Sequence, residues 1–425
     1  MLSTLRNAWK VPELKKRLLF LVFAIFIYRI GNSIPLAGVD PTQVAKAAQT
    51  GLLNFYDLIS GGAFSKSTIF AIGVIPYINA SIIMQLLTIA IPYLEQLSKE
   101  GEDGRKKIQK YTRYATVPLA VLQAVSQYAI IRQLGSLTDA SNINMFLIIL
   151  TLTTGTVFLM WLGDKITQHG IGNGISLLIF INIMSRFPQQ ISGIVTSQKT
   201  NAADVVQVVT FIAVMIAMFL AVVISALAER RIQVQYAGKT VGNKTYRGQS
   251  THIPININNS GVIAIIFAMS VLQFPGTLAN FWPTAWLSKW ILNSQFSVFK
   301  ADSYLYVATD LLLILFFTWF YTQITFKPDE MAENMHKSSG FIPGIRPGEA
   351  TARYIEKVLG KISLFGGLFA GLIAVGPILI GMTMPAFKSV QLGGTSLLIM
   401  VSVALETMRQ IESQLVMRHY KGFLK

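Results

Sequence analysis

The chain has 425 residues, 52% of them hydrophobic and only 13% charged, and a mean hydropathy of +0.51. Soluble proteins carry about 25% charged residues, so this composition excludes an ordinary soluble domain and fits a polytopic membrane protein. A net charge of +16 suits a nucleic-acid binder, but the basic residues gather in alternate loops between apolar runs, and the absence of cysteine removes disulfides, thiolate nucleophiles and thiolate metal sites.

Lys15, Lys16 and Arg17 precede the apolar run Leu18–Ile27, in the manner of a signal peptide. The run continues through Tyr28 and Arg29 toward Pro35 with no small-residue cleavage site, so it reads as a retained first span. Leu21, near its middle, is expected to face lipid.

The next stretch, Asn54–Pro92, organises the chain. Its second part, Thr68–Ile91, is apolar over more than the roughly 20 residues a bilayer requires. Its first part, Asn54–Phe64, is also apolar but would span only about 15 Å as a helix, half a membrane. Ser60-Gly61-Gly62 separates the two, and glycine favours a reversal or irregular backbone there. Non-helical backbone at membrane depth is tolerated where protein buries it or where it lines a water-filled cavity. A short segment dipping in before a full span predicts a pore or a midplane site; a surface-lying amphipathic turn is the other reading of this stretch.

Eight further apolar runs follow: Ala115–Leu134, Met145–Leu162, Gly174–Phe187, Val205–Ala228, Gly261–Phe274, Tyr304–Phe326, Ile362–Ile380 and Thr395–Ile411. The fold class expected is an all-α polytopic membrane protein of about ten transmembrane helices. Basic residues concentrate in three loops, around Lys99–Arg113, Arg230–Arg247 and Lys327–Arg353, and the positive-inside rule places these loops and both termini in the cytoplasm. Five spans in residues 1–190 and five in 191–425 put the halves in opposite orientations, which permits an inverted repeat with a path at their interface.

Chemistry-bearing residues are few. Asp310 lies near the start of its span, and Glu406 has Arg409 one turn on, a spacing that predicts a pair. His169, His252, His336 and His419 are far apart, so no metal cluster is expected, and no cofactor. HGIGNG at 169–174 lacks the Gly-Lys-Ser/Thr ending of a phosphate loop and reads as a tight turn into a helix. Neither a Ser-His-Asp arrangement nor an HExxH motif is present, and nothing supports an enzyme. The cytoplasmic loops 229–259 and 327–357 are polar, basic and broken by Gly and Pro, and loops of this length ordinarily serve a partner or a lid. Arg346, between Ile345 and Pro347 on a stiff turn, is the leading docking candidate, with Lys239, Arg247, Arg230 and Arg231 beside it.

Several long motifs then occur in one order. SGGAFSKSTIFAIGVIPYINASIIMQLL resembles the plug and second helix of the SecY/Sec61 alpha family, whose bacterial members are channel subunits of the Sec protein translocase. EDGRKKIQKYTRYAT resembles that family's first cytoplasmic loop, HGIGNGIS the start of its fifth helix and GQSTHIPININNSGVI of its seventh. KSSGFIPGIRPGEATARYI is similar to the loop before its ninth helix, and GGTSLLI to its tenth. The resemblance implies an hourglass channel between inverted halves in the cytoplasmic membrane. It further implies a plug at about 54–66, carrying Phe55, Tyr56, Leu58, Ile59, Ser60, Gly61, Gly62 and Ala63. A waist ring of Val74, Ile78, Ile175, Ile179, Ile266 and Ile399 is carried over by motif, and helical spacing puts Val74 with Ile78, and Ile175 with Ile179, on one face. Helices two, three, seven and eight would open sideways to lipid and release membrane segments. The implied partners are SecE, SecG, the SecA ATPase, a ribosome, signal sequences and unfolded polypeptide. Ala264 stands where relatives often have Pro, which bears on the bend of the seventh span. A secondary transporter of small solutes is the competing reading; it should show charges near the midplane, and few occur here.

Overall fold

Apolar runs that enter a bilayer must satisfy their own backbone, and the helix does so within one segment. The computed structural model describes residues 6, 8–48, 57, 60–139, 141–199, 205–236, 239–241, 244–246, 250–257, 261–279, 298, 303–383 and 394–422. Each predicted span coincides with a helix. These are α1 (Pro12–Gly31), α3 (Ile75–Ala90), α5 (Glu102–Gln133), α6 (Asn142–His169), α7 (Gly174–Lys199), α8 (Val205–Leu227), α9 (Gly261–Ala279), α10 (Tyr304–Thr325), α12 (Glu349–Thr383) and α13 (Gly394–Gly422). Shorter helices α2 (Pro41–Ala47), α4 (Pro92–Lys99) and α11 (Pro328–Lys337) lie between them. Among the described residues five helices are long and apolar enough to cross a membrane alone, six if the bent pair α3–α4 counts as one.

The helix ends follow local chemistry. Pro12 opens α1, where a missing N–H costs nothing. Asp40 caps α2 by accepting from the Thr42 amide at 3.0 Å, and Asn173 caps α7 by accepting from Ile175 and Ser176 at 3.1 and 3.2 Å. Ile91 precedes Pro92, is forced extended, and breaks the chain by 99° between α3 and α4. Large apolar side chains remain exposed along the outer helices, among them Val22, Phe26, Phe146, Val209, Ile224 and Phe365. Such a surface belongs against lipid. Leu21 is different: it packs against the central apolar cluster.

Two expectations change. The second span begins at Ile75 rather than Thr68, because Ser60–Val74 is a chain of turns. The basic stretch 93–114 is mostly helical, as α4 and the first turns of α5. The all-α polytopic class holds, with short strands added in the loops: β1 (Glu229–Tyr236) pairs antiparallel with β4 (Ser250–Asn256) and with β5 (Gly340–Phe341), and β2 (Lys239–Val241) pairs with β3 (Lys244–Tyr246). The two basic loops therefore meet in one sheet of order β4-β1-β5, with Ile232, Val234, Ile255, Met335, Ile355 and Leu359 packed together. Alternation at Ile232 and Val234 carries the strand signal in a short, otherwise charged run.

The turn at 170–173 joins α6 to α7 so closely that a Cβ at Gly174 would lie 2.0 Å from the Gly163 carbonyl oxygen. Gly174→Val is therefore expected to push the helices apart and cost about 1–3 kcal/mol, as overpacking does. A lowered midpoint of thermal unfolding in detergent checks this, and an unchanged midpoint contradicts the contact.

Candidate functional site

Four helices converge on an apolar collar. Val74 sits at the N-cap of α3 with Ile78 one turn on, α7 supplies Ile175 and Ile179, α9 supplies Ile266 and α13 supplies Ile399. Val74, Ile175, Ile179 and Ile399 are buried in one cluster, and Ile78 and Ile266 pack against it. Ile78 and Ile266 also touch a second cluster built mainly from α8, α9, α10, α12 and α13, so they sit where the two apolar bodies join. Ile183 and Val403 belong to the same cluster, each four residues beyond a predicted collar residue; helical spacing from Ile179 and Ile399 points to both. The collar side chains offer no hydrogen bond, so together they can exclude water without holding a solute. Ala264 lies fully buried within α9 and leaves that helix continuous from Gly261, the proline falling at Pro275 instead.

The turn segment packs directly against this collar. Ala63 and Phe70 belong to its cluster, Ser60 and Thr68 are buried, and Phe64 packs instead into a neighbouring cluster with Ala71, Ile72 and Leu152. Its backbone is satisfied locally: the Gly62 amide donates to Asp57 O at 2.9 Å, Phe64 to Ser60 Oγ at 3.1 Å and Ile69 to Ile34 O at 3.1 Å. Irregular backbone buried in protein is the condition that membrane depth demands. Gly61 and Gly62 adopt φ of +66° and +90°, and a Cβ on Gly61 would lie 2.8 Å from Asn182 Oδ1 on α7. Only glycine serves there. Of the other plug residues expected from the sequence, Ala63 is fully buried, while Phe55, Tyr56, Leu58 and Ile59 lie outside the described residues.

The basic candidates lie elsewhere, on the sheet. Arg230 and Arg231 are exposed on β1, where Arg231 Nη2 reaches Glu229 at 2.6 Å. Arg346 is exposed on the turn after β5, and its carbonyl accepts from Thr351 Oγ1 at 2.9 Å. Lys239 opens β2, and Arg247 lies outside the described residues. On α4, Lys99 donates to Glu95 at 2.7 Å, and this bond, aided by Lys327 before α11, holds the Glu95 carboxyl below its usual range. Glu406 and Arg409 do not pair among the described residues; Arg409 donates instead to the Ala226 carbonyl at 3.3 Å, capping the end of α8. Asp310 is fully buried in α10, apart from the collar.

The profile of the SecY family matches residues 68–408. A Streptomyces galbus protein named protein translocase subunit SecY is 43% identical over 440 residues, covering all of both chains. The chain belongs to the SecY family. Its SecY relative in Bacillus subtilis is 39% identical over 434 residues, again with full coverage of both. Solved structures share the fold: one described as a protein conducting channel has a TM-score of 0.67 at 18% identity, with 96% of each chain covered. A second, described as Sec61 in the canine ribosome-channel complex, has a TM-score of 0.61 at 17% identity, also covering 96% of each chain. As a SecY-family protein the chain is a membrane-embedded translocase channel, and the small-solute transporter reading is not favoured. By the same kinship it is a channel rather than an enzyme.

Proposed function

We propose that the collar is the constriction through which this SecY-family channel threads unfolded polypeptide, with the plug, at about 54–66, closing one side of it. One observation carries the reading: aliphatic residues from four helices, drawn from residues 1–190 and 191–425 alike, meet in one apolar cluster backed by buried irregular backbone. A collar without hydrogen-bonding atoms seals by dewetting when closed and holds no particular sequence when open. That suits a substrate of any sequence.

In this reading the two halves are inverted about the collar, and α3, α5, α9 and α10 form the seam that releases membrane segments sideways into lipid. The loops bearing the sheet lie in the cytoplasm of the cell, with both termini. Few ionisable residues occur in the spans, so the driving energy comes from a partner docked on that sheet, the SecA ATPase or a ribosome. The ribosome enters because a fold neighbour was solved in a ribosome-channel complex. SecE and SecG complete the assembly. Arg346, exposed and held on a turn flanked by Pro343 and Pro347, is the leading contact, with Arg230, Arg231, Lys239 and Arg247 adding to it.

The test is import into proteoliposomes that hold the purified channel complex. An unfolded secretory precursor is expected to become protected from added protease when ATP and the ATPase are present. Precursor that stays fully digestible, from vesicles that accumulate a small solute, would overturn the reading.

A further inference from the structure

Asp57 and Arg186 are a buried charge pair that the collar itself does not require. Arg186 Nη2 contacts Asp57 Oδ2, and the two side chains are only 21% and 7% exposed. The other Asp57 oxygen accepts from the Ser65 amide at 2.7 Å, and Arg186 Nη2 donates to Ser65 Oγ at 3.0 Å. One turn nearer the collar, Asn182 packs against Gly61 and accepts from the Tyr28 hydroxyl of α1. Arg29, next to Tyr28, donates to the Ile181 carbonyl at 2.9 Å. Spaced along one face of α7 are Ile175, Ile179, Asn182 and Arg186: two collar residues, then two that grip the turn segment.

We propose that Asp57 and Arg186 are positioning residues that latch the plug segment to α7 in the closed channel, and that this pair must part before polypeptide can pass. The proposal rests on the plug reading above. Its physics is two-sided. Buried together, each ion has the other and a hydrogen-bond network in place of water, so removing one partner leaves an unpaired buried charge. Once the segment swings out, both ions hydrate and their attraction falls to that of a surface pair. The latch is therefore strong while closed and weak once released, which favours two discrete states over a partly open one.

The chain has no cysteine, so a pair of introduced thiols reports only on itself. In membranes holding the whole complex, Asp57→Cys combined with Arg186→Cys is expected to be bridged at rest by a short bis-methanethiosulfonate reagent, which spans the length the Arg side chain covers. Bridged vesicles should then fail to import a secretory precursor, and reductant should restore import. Failure of the bridge to form in assembled protein, or import unchanged once it has formed, overturns the latch. Import by the cysteine-free parent reports the channel reading separately.

Ion leak gives a second readout. Asp57→Asn and Arg186→Gln are each expected to raise resting leak at least about tenfold, the effect of shifting a two-state equilibrium by that factor. The paired neutral variant Asp57→Asn/Arg186→Gln should leak less than either single variant, because neither charge is then stranded. Single variants as tight as the parent would overturn the proposal.

Discussion

Arg346→Glu is expected to stop transport of a secretory precursor while the chain itself assembles normally in the membrane. Arg346 is exposed, on a turn whose Ile345 packs against the sheet cluster rather than the collar cluster, so charge reversal leaves the helix packing alone. The turn that carries it is fixed by Pro343 and Pro347, by the Ile345 amide donating to Ile342 O at 3.1 Å and by Thr351 Oγ1. A fixed guanidinium offers a planar fork to a carboxylate, and reversing it sets like charges together, worth several kcal/mol at an interface. Since about 1.4 kcal/mol is tenfold, import should fall by more than about tenfold. Arg346→Lys should fall between, keeping the charge without the fork. Reversal at Arg230 should cost less, because no proline-bounded turn fixes its guanidinium, and Arg231 already leans on Glu229. Initial import rates at equal channel content decide it; an Arg346→Glu channel importing at the parental rate contradicts the docking role.

Ile399→Asn should open the collar at rest. Ile399 is 3% exposed among aliphatic neighbours. An amide placed there without partners costs about 1–3 kcal/mol, a penalty relieved when water enters and the constriction widens. A shift of that size raises the open population roughly five- to 150-fold, seen as ion leak, and should let precursors with defective signal sequences through. Ile78→Asn should act the same way. The control is Val22→Asn, since Val22 is 60% exposed on α1 and faces lipid. There the polar group meets hydrocarbon, so assembly should suffer and leak should not rise. Leak from Val22→Asn equal to that from Ile399→Asn would mean the collar is nothing special.

How much of this could be read from residues alone depended on whether the signal was local. Spans show in the sequence because a bilayer imposes length and apolarity on each one separately. The collar needed family motifs, since an isoleucine facing a pore is spelled like one facing lipid; Leu21 makes the point, being expected at lipid and found against the collar cluster. Ser60–Val74 is as apolar as a helix, and what breaks it is three glycines with positive φ, Gly61, Gly62 and Gly73, and the packing of α7 against the first two. The sheet was missed because its strands come from loops about a hundred residues apart, β1 meeting β5 only through tertiary pairing. Asp57 with Arg186 was likewise invisible: neither residue stands in a motif, and only the fold brings them together.

The path of the polypeptide is the central claim, and crosslinking tests it most directly. Ile78→Cys and Ile399→Cys are the only thiols in their variants. A precursor carrying one cysteine in its middle, stalled in transit by a folded C-terminal domain, should form a disulfide with either position. A cysteine at lipid-facing Val22 should form none. Crosslinks to Val22→Cys, with none to Ile78→Cys or Ile399→Cys, would place the path outside the collar and contradict the account.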